Sequence, residues 1–203
     1  MPALVTFREV DPSDASMILS WRSKPRVTDF MNTDVDNDVN AQTQWLVSCF
    51  EKPRYYHWIF SMNGTEAGLL SIADFDLDAG TTSWGYYIGE DSLLGFGAVV
   101  PPYLYNWLFR TVGLRRVEVE VFANNEQVLR MHDYHGYRRV PDRDRSIEKS
   151  GREIQLRALE LHAKDWIQQH RMQRFVAEFP VARWTAGPRT LSMVGDTDAG
   201  LVP

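Results

Sequence analysis

The stretch Trp84-Gly-Tyr-Tyr-Ile-Gly-Glu-Asp-Ser-Leu-Leu-Gly-Phe-Gly97 decides the fold. Thr81 to Ile88, rich in aromatic and β-branched side chains, reads as a strand. Beyond Gly95-Phe96-Gly97 the apolar period changes from two to helical spacing. Val100, Tyr103, Leu104, Trp107 and Leu108 then share one helix face. Two glycines between a strand and a helix let a ligand approach backbone N–H groups with no Cβ in the way. Orphan amides at a helix start make an anion site, most often for phosphate. Pro101 and Pro102 come so early that an irregular or kinked first turn is expected.

Upstream of this stretch, Val5 to Val10 alternates as a strand, Asp11-Pro-Ser-Asp14 carries cap chemistry, and Ala15 to Ser23 reads as a helix. Arg26 to Asn40 is a polar loop with a short turn. Its Asp34, Asp36 and Asp38 alternate like a calcium loop but lack the glycine and the later glutamate, so they read as a solvated cap. Val39 to Phe50 is the next helix. Strands Tyr55 to Met62 and Glu66 to Phe75 meet at Asn63-Gly64, a hairpin signal. Downstream, Arg115 to Phe122 puts Val117, Val119 and Val121 on one face, and Glu118 and Glu120 on a solvated one. Asn124-Asn125 opens a short helix that Gly136 stops. Tyr137 to Val140 and Ile154 to Leu161 are strands, with a charged loop from Asp142 to Ser150. A basic amphipathic helix is expected over 162–179, with a loose tail from Pro180.

The 203 residues suggest one domain, with 44% hydrophobic residues to form a core. A net charge of −5 argues against a nucleic-acid binder. The single cysteine, Cys49, excludes an internal disulfide and a Cys-based zinc site; its apolar neighbours predict a buried, inert thiol. There is no leader and no long apolar run, so the chain reads as soluble and cytoplasmic, without membrane or metal.

This order of elements resembles the GNAT superfamily of acetyl-CoA-dependent N-acetyltransferases over roughly residues 4–161. The family's phosphate motif, a basic or amide residue, two variable residues and Gly-x-Gly, is similar to Ser92-Leu-Leu-Gly95-Phe-Gly97, with Ser92 departing. Asn125, then Leu129-Arg-Met-His132-Asp-Tyr-His-Gly136-Tyr137, is similar to the family's Asn…Leu-Tyr-x-x-x-Gly-Phe, with His132 in the place of the tyrosine. Ile18-Leu-Ser-Trp21-Arg22, Phe30-Met31 and Trp84-Gly-Tyr-Tyr87 also resemble the nucleotide-aminosugar N-acetyltransferases of pseudaminic acid biosynthesis. Those acetylate the 4-amine of a UDP-linked 4-amino-4,6-dideoxy sugar destined for flagellin glycosylation.

The resemblance implies an α/β fold of α+β type: a mixed, mostly antiparallel sheet of six to seven strands, flanked by helices and splayed in a V between the fourth and fifth. It implies a GNAT domain over 1–161 and a C-terminal extension over 162–203. Acetyl-CoA is the implied cosubstrate, held by Tyr87, Ile88, the amides of Leu94, Gly95, Phe96, Gly97 and Ala98, and by Asn125, with Arg130 near phosphate charge. Trp21, Arg22 and Tyr86 are the implied acceptor contacts, Arg22 facing the UDP pyrophosphate. His132, as imidazolium, takes the general-acid position unless it only packs beside Val128; Tyr134 is the second candidate. The expected partners are acetyl-CoA and a UDP-amino sugar, the chain being a monomer or homodimer. The rivals are a ribosomal-protein, protein N-terminal or antibiotic N-acetyltransferase, and a degenerate acyl-CoA-binding module.

Overall fold

The alternation of Val5, Phe7 and their neighbours forms an edge strand whose apolar side chains turn onto one face of a sheet. The computed structural model describes residues 4–181. Strand β1 (Val5–Glu9) leads through a capping box at Asp11 and Asp14 into helices α1 (Ala15–Arg22) and α2 (Pro25–Thr28). Helix α3 (Val39–Glu51) follows, capped by the Asp38 carboxylate on the amides of Asn40 and Ala41. Strands β2 (Tyr56–Met62), β3 (Thr65–Asp76) and β4 (Thr81–Ile88) form an antiparallel meander. Asn63 and Gly64 turn its first hairpin at φ 51° and 83°, both in the left-handed region that such a turn demands.

After β4 the chain runs as a 3-10 helix (Asp91–Val99), helix α4 (Val100–Asn106) and a π-helical turn (Trp107–Val112). Pro101 and Pro102 sit in the first turn of α4, where the absent N–H groups have no intrahelical partner to lose. The helix starts at Val100, and the expected irregularity is present in the change from 3-10 to α geometry just before the prolines. Strand β5 (Arg116–Phe122), helix α5 (Glu126–His135), strands β6 (Arg138–Arg139), β7 (Arg145–Lys149) and β8 (Arg152–His162), and the short helix α6 (Ala163–Ile167) complete the elements.

Among the described residues the sheet has eight strands in the order β1-β2-β3-β4-β5-β8-β6, with β7 also on β8. The additional strand is β7, in the segment expected to be a loop: Ser150 and Gly151, at φ 49° and 71°, turn it back onto β8. Pairing to a neighbour orders this charged segment, which buries little of its own surface. The continuous helix expected over 162–179 is also absent. β8 runs to His162, α6 lasts five residues, and the chain then lies as a strap across the core. Trp166 is 1% exposed and donates to Asn106 Oδ1 at 2.9 Å; Asn106 Nδ2 donates to the carbonyls of Met172 and Phe175. Phe179 stacks on Phe7 and Trp107, and Trp58 Nε1 donates to the Pro180 carbonyl at 2.7 Å. A straight helix would carry those rings away from the core, and their burial outweighs helical propensity. The expected loose tail lies almost wholly outside the described residues.

Candidate active site

β4 and β5 pair in parallel only at Thr81–Arg116, Thr82–Val117 and Ser83–Glu118. Beyond Ser83 the two strands diverge, which is the expected V. A cleft of about 950 Å³ opens there, lined from both sides of the sheet. Tyr86, Ile88, Leu94, Gly97, Asn125, Val128 and His132 line it on one side. Arg22, Phe30, Thr33, Ser83, Gly85, Tyr87, Glu118, Glu120 and Phe122 line it on the other.

On the first side the glycine segment is pinned at its start. Arg26 donates to the carbonyls of Ile88 and Gly89 and to Asp91, and Lys24 donates to Gly89 O and Asp91. Lys24 and then Arg26 hold the Asp91 carboxyl below its usual range. Ser92, where the family has a basic or amide residue, bonds its hydroxyl to Glu90 at 3.0 Å. The segment beyond is bare: Leu94, Gly95, Phe96 and Ala98 are exposed. Neither Gly95 nor Gly97 has positive φ. A Cβ on Gly95 would meet nothing within 4 Å, and one on Gly97 only the Tyr86 hydroxyl at 3.4 Å and Ile88 at 3.7 Å. The protein's own backbone therefore does not require these glycines. A smooth, unobstructed run of backbone beside a splayed strand fits the phosphate and pantetheine arm of acetyl-CoA. Asn125 caps α5 through Oδ1 to the Val128 amide at 3.3 Å and borders the same space.

Three expected contacts lie elsewhere. Trp21 is buried in a second core cluster beneath Gly89, where a Cβ would come within 2.0 Å of its indole. Its apolar bulk is needed there, so it does not reach an acceptor. Arg130 pairs with Glu126 one helical turn away, with 71% of its side chain exposed. Tyr134 is 55% exposed on the outer face of α5 beneath the Arg171 guanidinium, away from the cleft. Tyr86 and Tyr87 exchange the sides expected of them: Tyr86 donates to the Gly97 carbonyl at 3.0 Å, whereas Tyr87 lies beside Arg22.

His132 does line the cleft, packed edge-on against Trp84 and Tyr137 with ring centroids 5.9 and 4.5 Å away. Burial, and secondarily the nearby His135, push its pKa down to about 3. At neutral pH it is a neutral imidazole, which corrects the expected imidazolium acid.

On the second side, Arg22 is 7% exposed. Its Nη2 donates to the Thr33 carbonyl at 2.7 Å and hydroxyl at 3.1 Å, while Nη1 is buried with no partner, as is the Tyr87 hydroxyl. Glu118 and Glu120, expected on a solvated face, are partly exposed at the cleft and ion-paired there: Arg145 grips Glu120 in bidentate fashion at 2.7 and 2.6 Å, and Arg143 holds Glu118 at 2.9 Å. Loop 28–34 roofs this end. Lys149 donates to the carbonyls of Thr28 and Met31, and Ser150 to Asp34. Arg26, Gly85 and Lys149 are site residues that sequence reasoning missed. Arg26 and Lys149 act across more than 60 residues, which no local motif marks, whereas Gly85 stands within the quoted Trp84-Gly-Tyr-Tyr87 stretch without its own role being read there.

No curated protein matches the chain. Among solved structures, a spermidine N-acetyltransferase from Vibrio cholerae in complex with CoA and spermine superposes with a TM-score of 0.72 at 10% identity, covering 80% of this chain and 98% of that one. A dodecameric structure of spermidine N-acetyltransferase from the same organism gives 0.68 at 9%, covering 82% and 98%. A probable acetyltransferase gives 0.67 at 17%, covering 80% and 94%. At such identities the likeness concerns the fold. The family model for the acetyltransferase (GNAT) domain matches residues 5–138, spanning the meander, the glycine segment and α5, and with well over half of the chain matched the protein belongs to the GNAT acetyltransferases.

Proposed function

We propose that this acetyltransferase moves the acetyl group of acetyl-CoA onto the 4-amino group of a UDP-linked amino-dideoxy sugar, by direct transfer within a ternary complex. The supporting observation is Arg22. A guanidinium buried in the cleft with one free edge beside an unpartnered tyrosine hydroxyl is costly unless an anionic oxygen completes it. The diphosphate of a nucleotide sugar supplies such oxygens. The cleft carboxylates Glu118 and Glu120 are already neutralised by arginines, which favours an anionic acceptor over a polycation.

In the reaction the amine lone pair forms the new C–N bond at the thioester carbon, and the C–S bond breaks with its electron pair on sulfur. The nitrogen then loses a proton and the thiolate gains one. Free strand amides along the splayed part of β4 stabilise the oxyanion. The amine's proton leaves to solvent and the thiolate takes one from solvent, while His132, a neutral imidazole at the cleft's border with Nδ1 buried, offers the sulfur a hydrogen bond from Nε2. The Gly95–Gly97 backbone and Asn125 hold the donor.

A second reading, acetylation of a polyamine, is favoured by the spermine complex of the structural neighbour. Thiol release from acetyl-CoA, measured with UDP-4-amino sugars, spermidine, peptides and aminoglycosides, tests both. Preferred turnover of the UDP-amino sugar supports the proposal, and turnover of spermidine alone replaces it.

A further inference from the structure

Three glycines near the centre of the sheet have different reasons to be glycine. A Cβ on Gly68 would lie 2.0 Å from the Tyr87 carbonyl oxygen and 2.7 Å from the Phe60 ring, and one on Gly89 would enter the Trp21 indole. Packing dictates both. Gly85, paired with Ser71 in the middle of β4, is exposed, and a Cβ there would meet only Ser71 Oγ at 4.0 Å. Its φ is not positive. Neither packing nor backbone geometry asks for glycine, and in a strand interior glycine costs about 0.5–1 kcal/mol relative to alanine. An exposed glycine in a central strand marks the close approach of something else. Gly85 lines the cleft with its same-face neighbours Ser83 and Tyr87. Arg22 lies beside Tyr87, and Phe30 and Phe122, edge to face at 6.2 Å, line the same space.

We infer that the bare backbone at Gly85 selects the acceptor: it leaves room for a nitrogen borne on a ring or branched carbon, which a side chain at this position would exclude. This rests on the reading that the acceptor occupies the Arg22 side of the cleft while acetyl-CoA lies along Gly95–Gly97 on the other. The amine reaches the thioester carbon through the gap where β4 leaves β5, so the carbon bearing the nitrogen passes beside Ser83, Gly85 and Tyr87. A CH₂–NH₂ group presents only hydrogens to that floor. A ring CH–NH₂ adds a second carbon substituent, and the volume it needs is the missing Cβ.

The test uses Gly85→Ala and Gly85→Val with two acceptors of equal charge and carbon count, cyclohexylamine and n-hexylamine. Both variants should keep the wild-type melting temperature and acetyl-CoA KM. For cyclohexylamine kcat/KM should fall about tenfold in the alanine variant and about a hundredfold in the valine variant, while n-hexylamine stays within about threefold. Equal losses for both amines, no loss for either, or no acetylation of cyclohexylamine by the wild-type enzyme overturns the inference. Should valine lower the melting temperature, the alanine variant decides. A failure of the UDP-sugar reading shows separately, as wild-type enzyme releasing no thiol with the UDP-amino sugar.

Discussion

On one face of β4, Trp84 and Tyr86 join a wall of aromatic rings at the cleft's edge; on the other, Ser83 and Gly85 border the cleft with little above them and Tyr87 is buried beside Arg22. The first face is closed by hydrogen bonds between large rings: Trp84 Nε1 donates to the Tyr137 hydroxyl at 2.8 Å, and Trp84 stacks on Tyr86. The second has no side chain at Gly85, and beside it Arg22 Nη1 and the Tyr87 hydroxyl are buried without partners, as His132 Nδ1 is on the first. One strand thus supplies a rigid support and a vacancy with a period of two. The difference teaches where to look for specificity: in the face whose stability the protein has not maximised. The expected experiments either break this contrast or sharpen it.

The largest effect should come from acid, acting mainly on the closed face. His132 and His135 there, and His57 beneath α3, are buried neutral, their pKa values pushed down to about 3, 4 and 3. Unfolded, each would titrate near its ordinary 6.5. Their folded-state pKa values are depressed, so the stability they contribute is full above pH 6.5 and is lost as pH falls toward 3. Each group costs about 1.4 kcal/mol per pH unit in that window, so three should lower Tm by roughly 10–20 °C at pH 5. Calorimetry between neutral pH and about pH 5, where most carboxylates remain ionised, checks this. An unchanged Tm would mean that these rings can be hydrated.

Next in size is the open face. Arg22→Gln should raise the acceptor KM about 10- to 150-fold, the value of a charge-assisted hydrogen bond, and leave the acetyl-CoA KM alone. Equal effects on both substrates would merge the two sides of the cleft into one. A smaller effect is expected of Arg130→Ala: because Arg130 pairs with Glu126 on the solvated side of α5, the acetyl-CoA KM should stay within about twofold. A larger rise would bring Arg130 to the phosphates. The smallest expected effect is none. With His132 neutral, kcat should not decline as pH rises from about 6 to about 8. A decline that His132→Asn abolishes would restore the imidazolium acid.

Much of the fold was legible because its signals are local. Asn63-Gly64 announces a hairpin, Val117, Val119 and Val121 alternate, and the glycine segment switches the apolar period between β4 and α4. The errors lie where distant partners decide. β7 is a strand because β8 is beside it, although its five residues are mostly charged or polar. The strap after β8 is broken because Asn106, Trp58 and Phe7 recruit Trp166, Pro180 and Phe179. In the site, the resemblance found residues on both sides of the cleft but could not tell that Trp21 is buried or that α5 turns Tyr134 outward. It also could not see His132 losing its charge, since that follows from the rings of Trp84 and Tyr137 around it.

The strap also sets an order of events during synthesis. Trp58 on β2 reaches its hydrogen-bond acceptor only when residue 180 exists, and Phe7 stacks on a ring at position 179. At about 5–20 residues per second, β1 and β2 wait on the order of ten seconds for these partners, longer than most small domains need to fold. During that interval the aromatic face of β1 and β2 lacks these partners, so this part of the core closes only once the strap has been made.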